Sequence, residues 1–307
     1  MSTHREILDG VDADRLRRDL FAIAGDPLPR RTVACTLPGH ARHTLDETDE
    51  WIEAQLAECG LSVAREAFQV QAYGCDETKP LHHWYAAPPP GAPFHTVYNL
   101  TAEIRGDRAA DEILLLMAHK DSQSWIDCPG ALDNGAGLVA LVEIARAMAR
   151  RGARRTVRFL FCNEEHTPWT SEPVANAMRL RGDDLRAAIN LDALTGKSDE
   201  DRRAGRKTAV TVYTRPEGRR IVDLMDAANE RWGIGLEHHG RLRDFPNDDD
   251  GSFIKAGYPF AVASFGSFPY ADAEYHLPGD TPQRVDMENL RMATRLNLGA
   301  LLALDDE

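Results

Sequence analysis

Residues 112–122 read EILLLMAHKDS, and this segment carries the clearest structural signal in the sequence. Apolar residues run without interruption from Ile113 to Ala118 and end at His119, with Asp121 two positions further on. A continuous apolar run of this length is typical of a β-strand buried on both faces, as in a parallel sheet covered by helices. The segment therefore predicts a central strand whose carboxyl end carries polar groups.

Further apolar segments alternate with amphipathic ones along the sequence. Buried strands are predicted at 156–163, 187–194, 208–214 and 260–266, and helices at 137–152, near 217–232, near 250–256 and near 287–304. Such alternation predicts an α/β protein with a mixed, largely parallel central sheet and helices on both faces. No long linker and no internal repeat interrupts the sequence. We therefore predict one domain over residues 1–307, with N-terminal helices at about 12–60 packing onto it.

The composition limits the classes of partner. The formal charge is 36 − 49 = −13, with no block of basic residues, so the overall field opposes binding to nucleic acid and to anionic membranes. The same field is compatible with a divalent cation or an amine. The expected partner is a peptide or small amide substrate, with neither nucleic acid nor membrane, and the composition leaves the oligomeric state open.

The cysteines and the N-terminus bear on the compartment. Five cysteines stand at irregular spacings without a CxxC pair, which argues against a disulfide framework. The first twenty residues are charged from the fourth position onward and lack the apolar segment of a secretory signal. No apolar run approaches the length that spans a bilayer. These features lead us to expect a cytoplasmic protein.

Acids and histidines follow the predicted strands. Because the carboxyl ends of parallel strands meet at one edge of a sheet, residues just after them are expected to lie close together. Two adjacent carboxylates at a strand end repel each other and lose hydration, so they call for a positive charge such as a metal pair. Mixed histidine and carboxylate ligands are typical of zinc. The candidates are His119, Asp121, Asp133, Glu164, Glu165, Asp192 and His276.

Five motifs occur together in a fixed order. They are AHKDS at 118–122, PGALDNGAG at 129–137, NEE at 163–165, INLDALTG at 189–196 and YHLPGDT at 275–281. In order and spacing they resemble the M28 family of di-zinc peptidases, which includes bacterial zinc aminopeptidases and has glutaminyl cyclases as relatives. The resemblance runs from about residue 30 to the C-terminus. It implies the zinc-exopeptidase fold, which is phosphorylase/hydrolase-like.

The resemblance also implies a ligand set. His119 and Asp192 would hold one zinc ion, Glu165 and His276 would hold the other, and Asp133 would bridge the two. The implied cofactor is a pair of Zn²⁺ ions, although Co²⁺ or Mn²⁺ can share such ligands. The peptide bond after Asp133 is often cis in sites of this family.

Three further residues take implied catalytic roles. Asp121 would orient His119 by accepting its other ring N–H, and Glu164 would act as the general base. Tyr275 would donate its phenol to the oxyanion of the tetrahedral intermediate; the alternative is that this tyrosine only packs beside the histidine.

The sequence departs from the family pattern at several positions. Instead of a Gly-rich turn ending in Gly-Ser, the paired glutamates are followed by HTPWTSEP, so His166 and Trp169 become candidates for the substrate pocket. PNDDDGSF at 246–253 replaces a Ser-Asp-His segment. Its three aspartates, at 248–250, either bind a substrate ammonium group or form a solvated helix N-terminus. His238 and His239 are expected in a surface loop.

The simplest function is metal-dependent hydrolysis of a peptide or amide bond by a zinc-dependent aminopeptidase that removes an N-terminal residue. An alternative is an amidohydrolase or cyclase that uses the same metal site on a dedicated small molecule. A second alternative is a non-catalytic binding module. The sequence retains every implied ligand and Glu164, which argues against this alternative. No GxSxG, HExxH or P-loop motif indicates another mechanism.

Overall fold

A mixed nine-stranded sheet organises residues 4–307, the part of the protein that the computed structural model describes. Residues 1–3 of the predicted domain lie outside the described residues. The strands are β1 (Val63–Ala72), β2 (Gly74–Cys75), β3 (Tyr85–Ala86), β4 (His95–Ile104), β5 (Ala109–His119), β6 (Arg155–Cys162), β7 (His166–Thr167), β8 (Asp184–Leu191), β9 (Thr208–Tyr213), β10 (Glu237–Leu242) and β11 (Ala261–Phe265). Strands β2 and β3 form a separate small hairpin.

The order across the large sheet is β10-β9-β11-β8-β5-β6-β4-β1-β7. The central strands β11, β8, β5 and β6 run parallel to one another. Antiparallel strands β4, β1 and β7 extend one side, and β9 joins β11 in antiparallel pairing on the other. The predicted α/β class, with a parallel centre, is confirmed.

The apolar run that ends at His119 is β5, and it is buried on both faces as expected. Leu114 and Leu116 point into a large core on one face of the sheet. Leu115 and Met117 point into a smaller core on the other face. Because neighbouring side chains of a strand point to opposite faces, a strand between two cores needs apolar residues at every position.

Helices cover both faces. They are α1 (His4–Asp9), α2 (Ala13–Ile23), α3 (Thr44–Ala57), α4 (Ala136–Arg151), α5 (Ser171–Arg181), α6 (Asp199–Arg203), α7 (Arg219–Trp232), α8 (Asp248–Lys255) and α9 (Met287–Asp306). Helices α4 and α9 pack on the face with the larger core, and α8, which contacts α5, packs on the other face. Helices α2 and α3 contact α4, and their apolar side chains join its core. The single-domain assignment stays a prediction.

The strand β10 corrects the expectation of a surface loop at His238 and His239. Its sequence, EHHGRL, shows no apolar alternation, but it pairs in parallel with β9 at the end of the sheet. The His238 side chain is fully buried; its ring nitrogens lie 2.6 Å from an Asp226 carboxylate oxygen and 2.9 Å from the Thr211 hydroxyl.

Within residues 4–307, every helix is too short or too polar to cross a bilayer.

Candidate metal centre

Three adjacent parallel strands deliver the first candidate ligands to one edge of the sheet. His119 is the last residue of β5, Glu164 and Glu165 follow β6, and Asp192 follows β8. Strand β5 lies between β8 and β6, so their carboxyl ends are neighbours. This is the placement that the strand-end rule predicts.

Asp133 reaches the same place from a wide turn at Ala131–Gly135, which leads into α4. The peptide bond between Asp133 and Asn134 is cis, as the resemblance implied. The Asp280 carboxylate accepts hydrogen bonds from the backbone N–H of Leu132 at 2.7 Å and of Asp133 at 3.1 Å. At Gly137 an added Cβ would lie 2.2 Å from both the Asn134 side chain and the Leu191 carbonyl, so only glycine fits there.

The five predicted ligands form two groups that share Asp133. In each group the potential ligand atoms lie within 4.8 Å of one another; the groups are His119, Asp133 and Asp192, and Asp133, Glu165 and His276. Oδ1 of Asp133 lies 3.0 Å from Nε2 of His119, and Oδ2 lies 2.9 Å from Nε2 of His276. One carboxylate thus presents an oxygen to each group, which is the geometry that a bridging ligand requires.

Both histidines are oriented by contacts at their other ring nitrogen. Nδ1 of His119 lies 3.1 Å from the Asp121 carbonyl and 3.3 Å from Oδ1 of the same residue. Nδ1 of His276 lies 2.8 Å from the His82 carbonyl. A proton on Nδ1 in each ring leaves the Nε2 lone pair free, as metal-ligating histidines require.

The donor set fits a cation such as zinc. Nε2 of His276 and Oδ1 of Asp192 are buried and make no well-aligned hydrogen bond among residues 4–307, whereas most buried polar atoms do. Their nearest carboxylate and ring atoms are Oδ2 of Asp133, at 2.9 Å from Nε2 of His276, and Nε2 of His119, at 3.5 Å from Oδ1 of Asp192. Burial raises the pKa of Asp192 to about 7, partly offset by His119. Burial alone lowers the pKa of His119, but the neighbouring carboxylates of Asp121, Asp133 and Asp192 outweigh it and raise that pKa well above its ordinary value.

Asp121 fixes the turn that carries the paired glutamates. Its Oδ1 accepts the backbone N–H of Glu164 at 2.9 Å, and its Oδ2 accepts that of Glu165 at 2.8 Å. His166 lies 2.7 Å from the same Oδ2 and is fully buried. The expectation that His166 can enter the substrate pocket is therefore wrong, because its ring is held between Asp121 and Thr32 and does not line the pocket. Trp169 does line the pocket.

Glu164 faces the pocket beside the first turn of α8. Its Oε2 accepts the backbone N–H of Asp249 at 3.0 Å. Burial, followed by the charges of Asp249 and Asp248, raises the pKa of Glu164 well above its ordinary value. A raised proton affinity suits a group that has to take up a proton.

The three aspartates of α8 are buried, so the solvated-terminus interpretation is wrong. The Arg243 guanidinium compensates two of them, with ion pairs of 2.6 Å to Asp248 and 3.0 Å to Asp250. Burial raises the pKa of Asp250 to about 8 despite the arginine. Oxygen atoms of Asp248, Glu164 and Asp192 form a third close group, within 4.8 Å of one another.

A pocket of about 130 Å³ opens above the centre. Its walls are aromatic, and Glu164, Glu165 and Asp248 line it as well; the aromatic side chains are Tyr73, Tyr85, Trp125, Trp169, Tyr270 and Tyr275. The Tyr275 ring stacks on His276, with centroids 3.8 Å apart, and on Tyr270, with centroids 4.4 Å apart. Tyr275 therefore packs against a candidate ligand and also borders the pocket, and its oxyanion role stays a prediction. A larger groove of about 710 Å³ beside β1 contains none of the candidate ligands.

Sequence patterns missed several residues of the centre. Gln123 donates to Oδ2 of Asp133 at 2.8 Å and approaches Glu165 at 3.4 Å. His82 orients His276 through its backbone carbonyl, for which the sequence contains no signal, and its ring bonds the carbonyl of Tyr275. Asp280 lies inside the motif YHLPGDT, four residues after His276. Its position in this motif could have identified it as a residue of the centre.

The chain belongs to peptidase family M28. The profile described as "Peptidase family M28" matches residues 99–301, well over half of its length. The chain is 24% identical over 271 residues to a probable aminopeptidase of Saccharomyces cerevisiae, YDR415C, covering 84% of this chain and 66% of that protein. It is 26% identical over 215 residues to leucine aminopeptidase 1 of Aspergillus niger, covering 66% and 54%. The chain thus spans between about half and two thirds of these relatives.

Solved structures share the fold. An aminopeptidase from Aneurinibacillus sp. strain AM-1 superposes with a TM-score of 0.70 and 15% identity, covering 97% of this chain and 95% of that one. The glutaminyl cyclase of Fimbriiglobus ruber superposes with a TM-score of 0.68 and 19% identity, covering 95% of both proteins. At these identities the likeness establishes the architecture.

Proposed function

We propose that this protein is a zinc-dependent aminopeptidase that uses two zinc ions to remove the N-terminal residue of a peptide or small amide. The observation that carries the proposal is the pair of ligand groups sharing Asp133, next to the carboxylate of Glu164 and beneath an aromatic pocket. Membership of the peptidase family and the aminopeptidase names of the curated relatives support the same activity.

The ligands divide between the two ions. His119 and Asp192 would hold one ion, Glu165 and His276 would hold the other, and Asp133 would contact both through its two oxygens. When bound, such a pair polarises the scissile carbonyl and lowers the pKa of the attacking water.

Glu164 is the proposed general base. It would take a proton from the attacking water and deliver it to the nitrogen of the leaving group. The backbone N–H of Asp249 holds one of its oxygens at 3.0 Å, which leaves the other oxygen for the water. Asp121 would orient His119 by accepting a hydrogen bond from its Nδ1–H, and Tyr275 would donate a hydrogen bond from its phenol to the developing oxyanion.

The acidic groups at the pocket offer a place for the substrate's free amine. Glu164, Asp192 and Asp248 bring carboxylate oxygens within 4.8 Å of one another, and Asp248 lies at the pocket surface. Carboxylates that are close together repel one another, and an ammonium group between them would offset that repulsion. The lining also contains no lysine or arginine among the described residues, so a substrate with an anionic side group would be disfavoured.

A cyclase is the second candidate. Solved glutaminyl cyclases share this fold, and the small pocket suits a single residue better than an extended peptide. In that reaction the α-amine of an N-terminal glutamine attacks the carbon of its own δ-amide. A new bond forms between the α-nitrogen and that carbon, the bond from that carbon to the amide nitrogen breaks, and ammonia leaves with the transferred proton. No water is consumed, so the two reactions give different products.

The test is a panel of aminoacyl-p-nitroanilides, each with its amine free and again acetylated, together with glutaminyl peptides. The purified protein is loaded with zinc, and Glu164→Gln serves as the control. Hydrolysis of the free-amine compounds alone, lost in the control, supports the aminopeptidase. Cleavage of acetylated compounds indicates an amidohydrolase, and ammonia release from glutaminyl peptides indicates the cyclase. Bound zinc with no turnover of any compound points to a dedicated small-molecule substrate outside the panel or to a binding module.

A further inference from the structure

His166 occupies a position that the proposed mechanism leaves without a role. It directly follows the paired glutamates, and its imidazole is fully buried. The ring lies between two segments that are far apart in the sequence, one at Asp121 and one at Thr32 and Val33. Nδ1 lies 2.7 Å from Oδ2 of Asp121, while Nε2 faces the Thr32 hydroxyl at 3.2 Å and the backbone N–H of Val33 at 3.3 Å.

These contacts assign the tautomer. The N–H of Val33 can only donate, so Nε2 of His166 must accept and carries no proton. In a neutral ring the proton then resides on Nδ1, and the bond to Asp121 runs from the imidazole to the carboxylate. His166 is thus a neutral donor with a fixed direction.

Asp121 depends on this donor. It is fully buried, and no lysine or arginine forms an ion pair with it within residues 4–307. Its other hydrogen-bond partners are the backbone N–H groups of Glu164 and Glu165 and the ring of His119. A buried carboxylate needs several donors to remain ionised, and His166 supplies the shortest of these bonds.

We propose that His166 is a positioning residue for the metal centre. By holding the Asp121 carboxylate in place, it fixes the orientation of the His119 imidazole, and it anchors the centre to the segment around Thr32. The consequence is a higher affinity for the ion at His119, Asp133 and Asp192. This inference rests on the proposed zinc site.

The surroundings of His166 separate positioning from simple packing. The backbone at His166–Thr167 is held independently, because β7 pairs with Gln71 and Ala72 of β1. His166 is also absent from the pocket lining, so its substitution removes no substrate contact. A change in zinc affinity would therefore arise through Asp121.

The experiment measures the two zinc dissociation constants of the purified protein by competition with a chromophoric chelator. His166→Asn keeps an N–H close to the Nδ1 position, whereas His166→Gln places its amide near Nε2 and leaves Asp121 without its donor. We expect His166→Gln and His166→Ala to raise one dissociation constant about tenfold, and His166→Asn to stay within about threefold of the original protein. Equal constants in the Asn and Gln variants would overturn the proposal.

His238 provides a matched control. It is also a buried histidine between an aspartate and a threonine hydroxyl, but it lies on β10, the end strand of the sheet. His238→Ala should leave both zinc constants unchanged; a loss equal to that of His166→Ala would reveal a general effect of removing a buried histidine and overturn the proposal.

A double variant tests the route through Asp121. Added to Asp121→Asn, the substitution His166→Ala should change the constant by less than about twofold, because the carboxylate on which it acts is gone. A full additional tenfold loss of zinc affinity in the double variant would show that His166 acts by a route other than Asp121. If the original protein binds no zinc, the proposed function fails before His166 is tested.

Discussion

Two buried clusters of charge in this protein are built differently. Between α2 and α4, carboxylates and guanidiniums alternate: Asp19 pairs with Arg146 at 2.6 Å, and Glu143 accepts from Nε of Arg15 at 2.6 Å. At the metal centre, by contrast, no lysine or arginine among the described residues forms an ion pair with its carboxylates. These are Asp133, Glu164, Glu165 and Asp192.

The difference distinguishes charged residues that stabilise the fold, in the first cluster, from charged residues that are suited to bind a cation, in the second. A buried ion pair with an arginine offsets much of its own desolvation cost, whereas buried carboxylates without a lysine or arginine partner destabilise a fold unless another cation joins them. In the first cluster, removal of a carboxylate should cost stability. In the second, it should cost function and leave stability unchanged or higher.

The largest effect is expected from Glu164→Gln. Loss of the general base should lower kcat by about 10²- to 10⁴-fold, measured with the best free-amine substrate of the panel. Because no lysine or arginine forms an ion pair with this half-buried carboxylate among the described residues, the urea midpoint should not fall. Retention of more than about a tenth of kcat would contradict the assignment of the base.

Asp133→Ala tests the shared ligand. Removal of the proposed bridge should empty both sites, so elemental analysis after dialysis should find little zinc. Glu165→Ala, the comparison variant, should lose mainly one ion, because Glu165 belongs to one group only. Two retained ions in Asp133→Ala would refute the bridge and, with it, the division of ligands between two ions.

These predictions concern a metal centre whose candidate residues were largely predicted from the sequence. Strands β5, β6 and β8 are buried on both faces, so their apolar runs were visible, and the strand-end rule then located His119, Glu164 and Asp192. Asp133 and His276 do not directly follow an apolar run, so the strand-end rule does not locate them; they were candidates by residue type, and their ligand roles came from the family resemblance. The sequence could not indicate the orientation of His276, because that depends on a backbone carbonyl at His82.

What the sequence failed to predict follows a physical pattern. Strand β10 has polar side groups and is stabilised through its backbone pairing with β9, so it has no hydrophobic period to detect. The aspartates of α8 look solvated in sequence but are buried, because Arg243 folds back onto Asp248 and Asp250. In both cases tertiary contacts overrode a local polar signal.

Glu143→Gln tests the paired cluster. Glu143 is fully buried, and it accepts hydrogen bonds from Arg15 and from the backbone of Asp12. Neutralising Glu143 removes the negative charge that faces Arg15 and Arg146. The substitution should therefore lower the free energy of unfolding by about 2–3 kcal/mol, as measured in urea. Zinc content and kcat should be unchanged. A loss of zinc would show that the two clusters are coupled.

The smallest effect is expected at Asp286, a half-buried carboxylate that is paired like those of the first cluster. It caps α9 through the N–H of Asn289 and bonds Lys197 at 3.0 Å and Lys207 at 2.6 Å. Burial alone would raise the pKa of Asp286, but bonds to Lys207, Asn289 and Lys197 lower it from 3.8 to about 2. The charged form is therefore preferred in the folded state.

A lowered pKa stabilises the fold at any pH above the value in the unfolded state, and the contribution disappears as the pH falls from about 4 to about 2. Asn retains the cap, so Asp286→Asn isolates the charge and should cost about 1 kcal/mol at pH 7, with solvent screening taken into account. We expect the difference from the original protein in urea unfolding to shrink between pH 4 and pH 3. Asp223→Asn, which removes an exposed pair with Arg219, should show no such difference. A cost at Asp286 that stayed constant down to pH 3 would mean that the residue acts through its shape and not through its charge.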